Sequence, residues 1–172
     1  MFRICLMASA LALLSCRAGA APSRYSDLYG KQCRTTDLTP RGSSRECAGV
    51  AGYALAVHDD DDRTSVDVIA PNRAVYPLSF WDVVTLGYAS VGQKAEWVMG
   101  ARRGHPMPTA LVVRLTRLDQ RDPGELVAVA RLDRDGACVV FKGDIGEPGV
   151  EAAAHKAATE AGRKCLGPYT EN

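Results

Sequence analysis

Three sets of residues in this chain could carry chemistry: the run Asp59, Asp60, Asp61, Asp62, the histidines His58, His105 and His155, and the cysteines. Clustered carboxylates suit a hard cation such as calcium. Consecutive aspartates point in different directions, however, and no D-x-D-x-D-G spacing with a distal glutamate follows, so a solvated turn is the expected role. A histidine doing acid–base or metal work needs a nucleophile or a second ligand beside it. The chain has no H-E-x-x-H and no G-x-S-x-G elbow. His155 falls in a run of alanine and lysine, where it is expected to be exposed. His105 stands in Arg102-Arg103-Gly104-His105-Pro106, a basic turn; charge gathered on a loop makes Arg102, Arg103 and His105 the candidate contact surface. No catalytic residue and no cofactor-binding residue is assigned, and no cofactor is expected.

The cysteines divide by position. Cys5 and Cys16 lie in a leader: Met1-Phe2-Arg3 is a basic start, residues 4–14 are almost wholly apolar, and Ala18-Gly19-Ala20 is a small-x-small cleavage site. This is a bacterial-style export signal, too short for a membrane-spanning helix. Leu13-Leu14-Ser15-Cys16 also resembles a lipobox, in which Cys16 would be acylated and become the first residue. Cleavage after Ala20 fits better, because Leu14 and Arg17 match the lipobox imperfectly. The expected location is the periplasm or outside the cell, with lipid anchoring in the envelope through Cys16 as the alternative.

Four cysteines remain, and an even count in an exported chain reads as two disulfides. Sequence permits three pairings, and element lengths favour one. A strand from Cys138 to about Asp144 covers roughly 20 Å, and a helix over residues 150–162 returns roughly 19 Å. That return would bring Cys165 beside Cys138, leaving Cys33 with Cys47. A four-cysteine metal site lacks close C-x-x-C spacing.

Positioning these residues requires a scaffold. Residues 21–50 are polar and rich in glycine, serine and arginine, and read as an N-terminal arm carrying the first disulfide, packed on a single domain over 51–172. Tyr53, Leu55 and Val57, then Val66 and Val68, alternate with small or polar residues around the acidic turn, giving a hairpin. Ser79 is a plausible N-cap for a short helix to about Leu86, broken by Gly87 and Gly92. Residues 94–99 suggest a short strand, and 100–108 a turn-rich connection. Residues 109–118, 126–132 and 137–142 form a meander around Asp122-Pro123-Gly124 and a tight turn at 133–136. In the helix that follows, Val150, Ala154, Ala157 and Ala161 make a small-residue stripe able to lie close on a sheet. The expected fold is α+β: a mainly antiparallel sheet of five or six strands, with a C-terminal helix packed on it and two disulfides as staples. Phe80, Trp81, Tyr88 and Trp97 are expected to cluster as core on one sheet face.

The chain carries 21 Lys+Arg against 20 Asp+Glu. Removing Arg3 and Arg17 with the leader takes the formal net charge from +1 to −1. A surface so close to neutral gives no support for nucleic-acid binding. No apolar run beyond the leader reaches the ~18 residues that a membrane span needs. No glycine-rich pattern before a helix offers a phosphate cradle.

Tyr25-Ser26-Asp27-Leu28, Cys33, the run Cys47-Ala48-Gly49-Val50-Ala51-Gly52-Tyr53, Phe80-Trp81 and Lys94-Ala95-Glu96-Trp97 together resemble a set of uncharacterised secreted and periplasmic proteins of Gram-negative bacteria. The resemblance covers nearly all of the chain after the leader. It implies a self-contained periplasmic domain and transfers no catalytic residue. The expected function is therefore a non-enzymatic binding or interaction domain, with a periplasmic protein or a small ligand as its partner. One alternative is an envelope protein like the lysozyme inhibitors, plugging an enzyme cleft with the loop at Arg102–His105. Another is a small periplasmic hydrolase using the aspartate run, Asp82 or His105.

Overall fold

The computed structural model describes residues 21–167, and the leader, with Cys5 and Cys16, lies outside the described residues. Among the described residues ten strands form one sheet, where the sequence pattern had suggested five or six. They are β1 (Ser23–Asp27), β2 (Cys33–Thr39), β3 (Gly42–Ala48), β4 (Ala54–Asp60), β5 (Arg63–Ile69), β6 (Val75–Pro77), β7 (Ala89–Arg102), β8 (His105–Arg117), β9 (Gly124–Leu132) and β10 (Ala137–Asp144). One α-helix, α1 (Val150–Thr159), follows.

Residues 21–50 are thus no irregular arm, since they supply β1, β2 and β3. Their weak alternation has a physical cause. β2 is almost entirely exposed at the sheet edge, and β3 buries only Cys47 fully. Backbone pairing rather than apolar periodicity makes them strands. Cys33 and Cys47 are register partners on β2 and β3, and their disulfide is a rung of that ladder.

The sheet has two halves. β2-β3-β4-β5, with β6 added on β5, meets β7 through one parallel bridge, Arg63 to Ala89. The other half is β10-β9-β8-β7 with β1 paired to β7. Both halves turn their apolar faces to one core, in which Leu55, Val57, Val66 and Val68 share a cluster with Trp97, Leu111, Val113 and Ala128. Trp97 is fully buried; its indole N–H donates to Ser26 Oγ at 2.9 Å, and its ring lies 6.0 Å from that of Tyr53. Gly49 makes this approach possible, because a Cβ there would stand 2.7 Å from Trp97 Cζ2 and 2.6 Å from the Tyr53 carbonyl oxygen.

The second half is buried on its outer face as well. Val98, Ala110, Val112, Val127, Val129 and Val140 form a separate cluster with Val150, Ala154 and Ala158 of α1. Four consecutive buried residues of β8, from Ala110 to Val113, reflect this two-sided burial. The alanines let α1 lie close on the sheet. The helix stops at Thr159 rather than near Gly162, so Ala161 of the anticipated stripe is exposed beyond its end. Leu166 N–H then donates to the Val139 carbonyl at 2.7 Å, and Cys165 joins Cys138. The strand-out, helix-back return expected from the element lengths is the observed one.

Other local expectations change. Trp81–Thr85 is a single π-helical turn with Phe80 at its N-cap position and no side-chain cap. Ser79 instead holds a left-handed backbone at φ 48° and does not cap. Lys142 Nζ reaches across to donate to the Val83 carbonyl at 2.9 Å. Phe80 and Trp97 are core, whereas Trp81 and Tyr88 are not: they meet edge-on outside it, with the Arg63 guanidinium 4.7 Å from the Trp81 ring centre and 5.9 Å from that of Tyr88. Gly92 does not end an element but lies where β7 shifts register, between Val91 and Ala95.

Candidate binding groove

The short strand expected at 94–99 is the middle of the 14-residue β7, and the expected turns over 100–108 are mostly strand. Only Arg103 and Gly104 turn, with φ 52° and 79°, the left-handed pair that a two-residue hairpin requires. β1 pairs with β7 no further than Val98, and β9 pairs with β8 from Ala110. Residues 100–108 therefore stand as a two-stranded ribbon paired only to itself. The proline pattern explains the release. Arg102 and His105 flank the turn as partners, so positions 106 and 108 direct their nitrogens outward, where β9 would continue. Both are proline and offer no N–H. The ribbon tip carries Arg103 and His105, both exposed.

At the root of this ribbon, the C-terminal turn of α1 leaves the sheet and opens a cavity of about 560 Å³. Val98, Met99 and Gly100 of β7, Leu132 of β9, and Ala157 and Ala158 of α1 make an apolar lining. The wall continues through residues 160–162, where Gly162 turns the chain at φ 77° towards the Cys138–Cys165 disulfide. A second cavity of about 510 Å³ shares Ala21, Val98 and Thr159 with the first and adds Ser23, Tyr25, Glu96, His155 and Lys156. Together they form a groove beside α1, floored by β7.

Charge in the groove is unevenly matched. Arg131 gives its Nε–H to Asp133 Oδ2 at 2.7 Å and its Nη1–H to the Arg163 carbonyl at 2.5 Å, so Asp133 is neutralised and the wall is tied down. Glu96 accepts the Ser23 hydroxyl at 2.5 Å. Arg102 is half-buried in the first cavity and donates from Nη2 to the Leu132 carbonyl at 3.0 Å. Among the described residues it forms no ion pair. Glu160, also in the wall of the first cavity, lies 3.8 Å from Arg163 Nε, and Lys156 borders the second cavity. The first cavity therefore holds one guanidinium with donors to spare and a neutral partner.

The remaining sequence candidates lie elsewhere. Asp61 and Asp62 make the two-residue β4–β5 turn with φ 54° and 62°, and Asp59 Oδ1 accepts the Asp62 N–H at 3.1 Å. Arg41 shares the hollow with Asp59, Asp61 and Asp62, which disfavours a cation there. Among the described residues no group of three or more His, Cys, Asp or Glu is placed to hold a metal ion. The Asp62 carbonyl accepts the Ala89 N–H at the start of β7, while His105 lies past its other end, so the aspartate run and His105 are not brought together. Asp82 is exposed on the π-helical turn. His155 is exposed on α1, as expected, and borders the second cavity.

One arrangement has no signature in the sequence. His58 Nδ1 lies 2.9 Å from Ser44 Oγ and its Nε2 lies 3.1 Å from Asp67 Oδ2, a Ser-His-Asp set across β3, β4 and β5. The carboxylate can only accept, so Nε2 donates to it, and Nδ1 of a neutral ring would accept the serine hydroxyl. Acyl transfer also needs donors for a developing oxyanion. Here the strands on either side occupy the β4 backbone in ladders, and the trio lies outside both cavities of the groove. It acts as a cross-strand polar ladder on a sheet face. The residues lie 14 and 9 positions apart on three successive strands, and only strand register could have paired them.

No protein-family model, curated protein sequence or solved structure matches the chain.

Proposed function

We propose that this chain is an exported, non-enzymatic binding domain of the bacterial envelope, and that the groove between α1 and the β7–β8 ribbon is where it binds. The observation that carries this reading is the apolar cavity at the ribbon root with the half-buried Arg102 in its wall. Small-molecule sites are concave and mostly apolar, with a few placed polar groups. The two disulfides and the export leader support a working place outside the cytoplasm. Among the described residues no helix is long and apolar enough to cross a membrane.

Native mass spectrometry of the mature protein, purified from periplasm under mild conditions, tests the reading. A discrete small-molecule mass that is lost on denaturation is the expected result. Turnover of ester or amide substrates that disappears in His58→Ala would overturn it in favour of a hydrolase.

A second reading has one observation in its favour, the self-paired basic ribbon. A projecting tip bearing Arg103 and His105 is suited to enter a carboxylate-lined enzyme cleft, as in a lysozyme-inhibitor-like protein. Stoichiometric inhibition of lysozyme that is lost in Arg103→Ala would support it, and unchanged lysozyme activity at excess protein would reject it.

A further inference from the structure

We infer that the cavity at the ribbon root takes an amphiphile with a carboxylate head, its acid group on Arg102 and its apolar body against Val98, Leu132 and Ala158. The inference rests on the binding-domain reading above and specifies its ligand class. Volume sets the scale: about 560 Å³ lies within the range of about 300–1,000 Å³ typical of small-molecule sites. The lining sets the body. Val98, Leu132, Ala157 and Ala158 are each less than a tenth exposed and offer no side-chain polar atom, so a polar ligand body would lose its water without replacement.

The head follows from charge. Of the two arginines in the wall, Arg131 is committed to Asp133 and to the Arg163 carbonyl. Arg102 is held in place by a single neutral acceptor, the Leu132 carbonyl, and since that bond uses only one of the two Nη2 hydrogens, one edge of two parallel N–H donors remains for a ligand. One guanidinium fork matches a planar carboxylate through two parallel hydrogen bonds. A phosphate dianion would need more positive charge than the one guanidinium left over once Arg131 is paired with Asp133. A cationic head would face Arg102 itself.

Isothermal titration of the mature, disulfide-bonded protein tests this with three probes of equal chain length, all below micelle-forming concentrations: dodecanoate, dodecanol and dodecyltrimethylammonium. Dodecanoate is expected to bind at one site, more tightly than dodecanol, with the cation weakest. Arg102→Gln keeps a donor for the Leu132 carbonyl but removes the charge, and should weaken dodecanoate about tenfold or more while leaving dodecanol unchanged. Arg103→Gln, one residue along at the exposed tip, should leave all three unchanged. Ala161→Phe, which narrows the mouth from an exposed position, should weaken dodecanoate and dodecanol together. Equal binding of all three probes, or dodecanoate binding insensitive to Arg102→Gln, would overturn the carboxylate assignment while leaving the binding domain standing. Failure of all three to bind would count against the groove as a binding site and so against the function proposed above.

Discussion

Replacing Cys138 and Cys165 together with alanine would release the segment that closes the groove. The pair is separated by 27 residues, which include most of β10, all of α1 and the cavity wall at 160–162. In the chain-entropy description, opening a loop of that size costs about 3.6 kcal/mol, and the separation of 14 at Cys33–Cys47 corresponds to about 3 kcal/mol. Either loss is a large share of a typical domain stability of about 5–15 kcal/mol. With a urea slope of about 2 kcal/mol per molar, each should lower the midpoint by roughly 1.5–2 M. The two variants should nevertheless differ in binding. Cys33 and Cys47 staple β2 to β3 in the half of the sheet away from the groove, so their removal should cost stability and leave dodecanoate affinity intact. Freeing Cys165 loosens the 160–162 wall and should weaken dodecanoate even where the protein remains folded. The assay is urea unfolding followed by tryptophan fluorescence, with titration in the absence of denaturant. Intact affinity without Cys138–Cys165, or lost affinity without Cys33–Cys47, would refute the assignment of the groove.

Other expectations concern the frame. Gly49→Ala would push a methyl into Trp97 and the Tyr53 carbonyl and should cost about 1–3 kcal/mol, whereas Gly136→Ala, with nothing within 4 Å, should change thermal stability by less than about 0.5 kcal/mol. The Asp144 carboxyl is held below its ordinary 3.8, first by the Gly146 N–H at 3.0 Å and then by Arg117 at 2.5 Å. A carboxyl lowered in the folded state adds stability above its unfolded value and loses it as pH falls through the folded one. Asp144→Asn should therefore melt below wild type at pH 7, and the gap should shrink below about pH 4; a gap constant with pH would contradict this. Intact-mass analysis of envelope material should find a chain beginning at Ala21, and an acylated Cys16 would contradict that cleavage.

Much of the frame was legible in the sequence because it rests on local periodicity. Leu55, Val57, Val66 and Val68 announced the β4–β5 hairpin, and the lengths expected for a strand from Cys138 and a returning helix announced Cys138–Cys165. The count of strands was not legible, because β2 lies exposed at an edge and carries no apolar alternation. The ribbon was hidden for a related reason: Gly100, Gly104, Pro106 and Pro108 look like loop residues. Two of them serve as edge blockers instead, and Gly104 supplies the turn. Arg102 was visible as charge on a basic turn, but its partner Leu132 and the α1 terminus come from distant segments. The one available signal for the groove was the pair of unbroken apolar runs at 110–113 and 126–130, which require cover on both faces of the sheet.

The most direct measurement is a backbone amide NMR titration of the ¹⁵N-labelled mature protein with dodecanoate. The account predicts saturable shifts concentrated at Val98, Met99, Arg102, Leu132 and residues 157–162, with Ser44, His58 and Asp67 unmoved. Shifts centred on those three residues or on the Trp81–Tyr88 surface, or no saturable shifts at all, would contradict it.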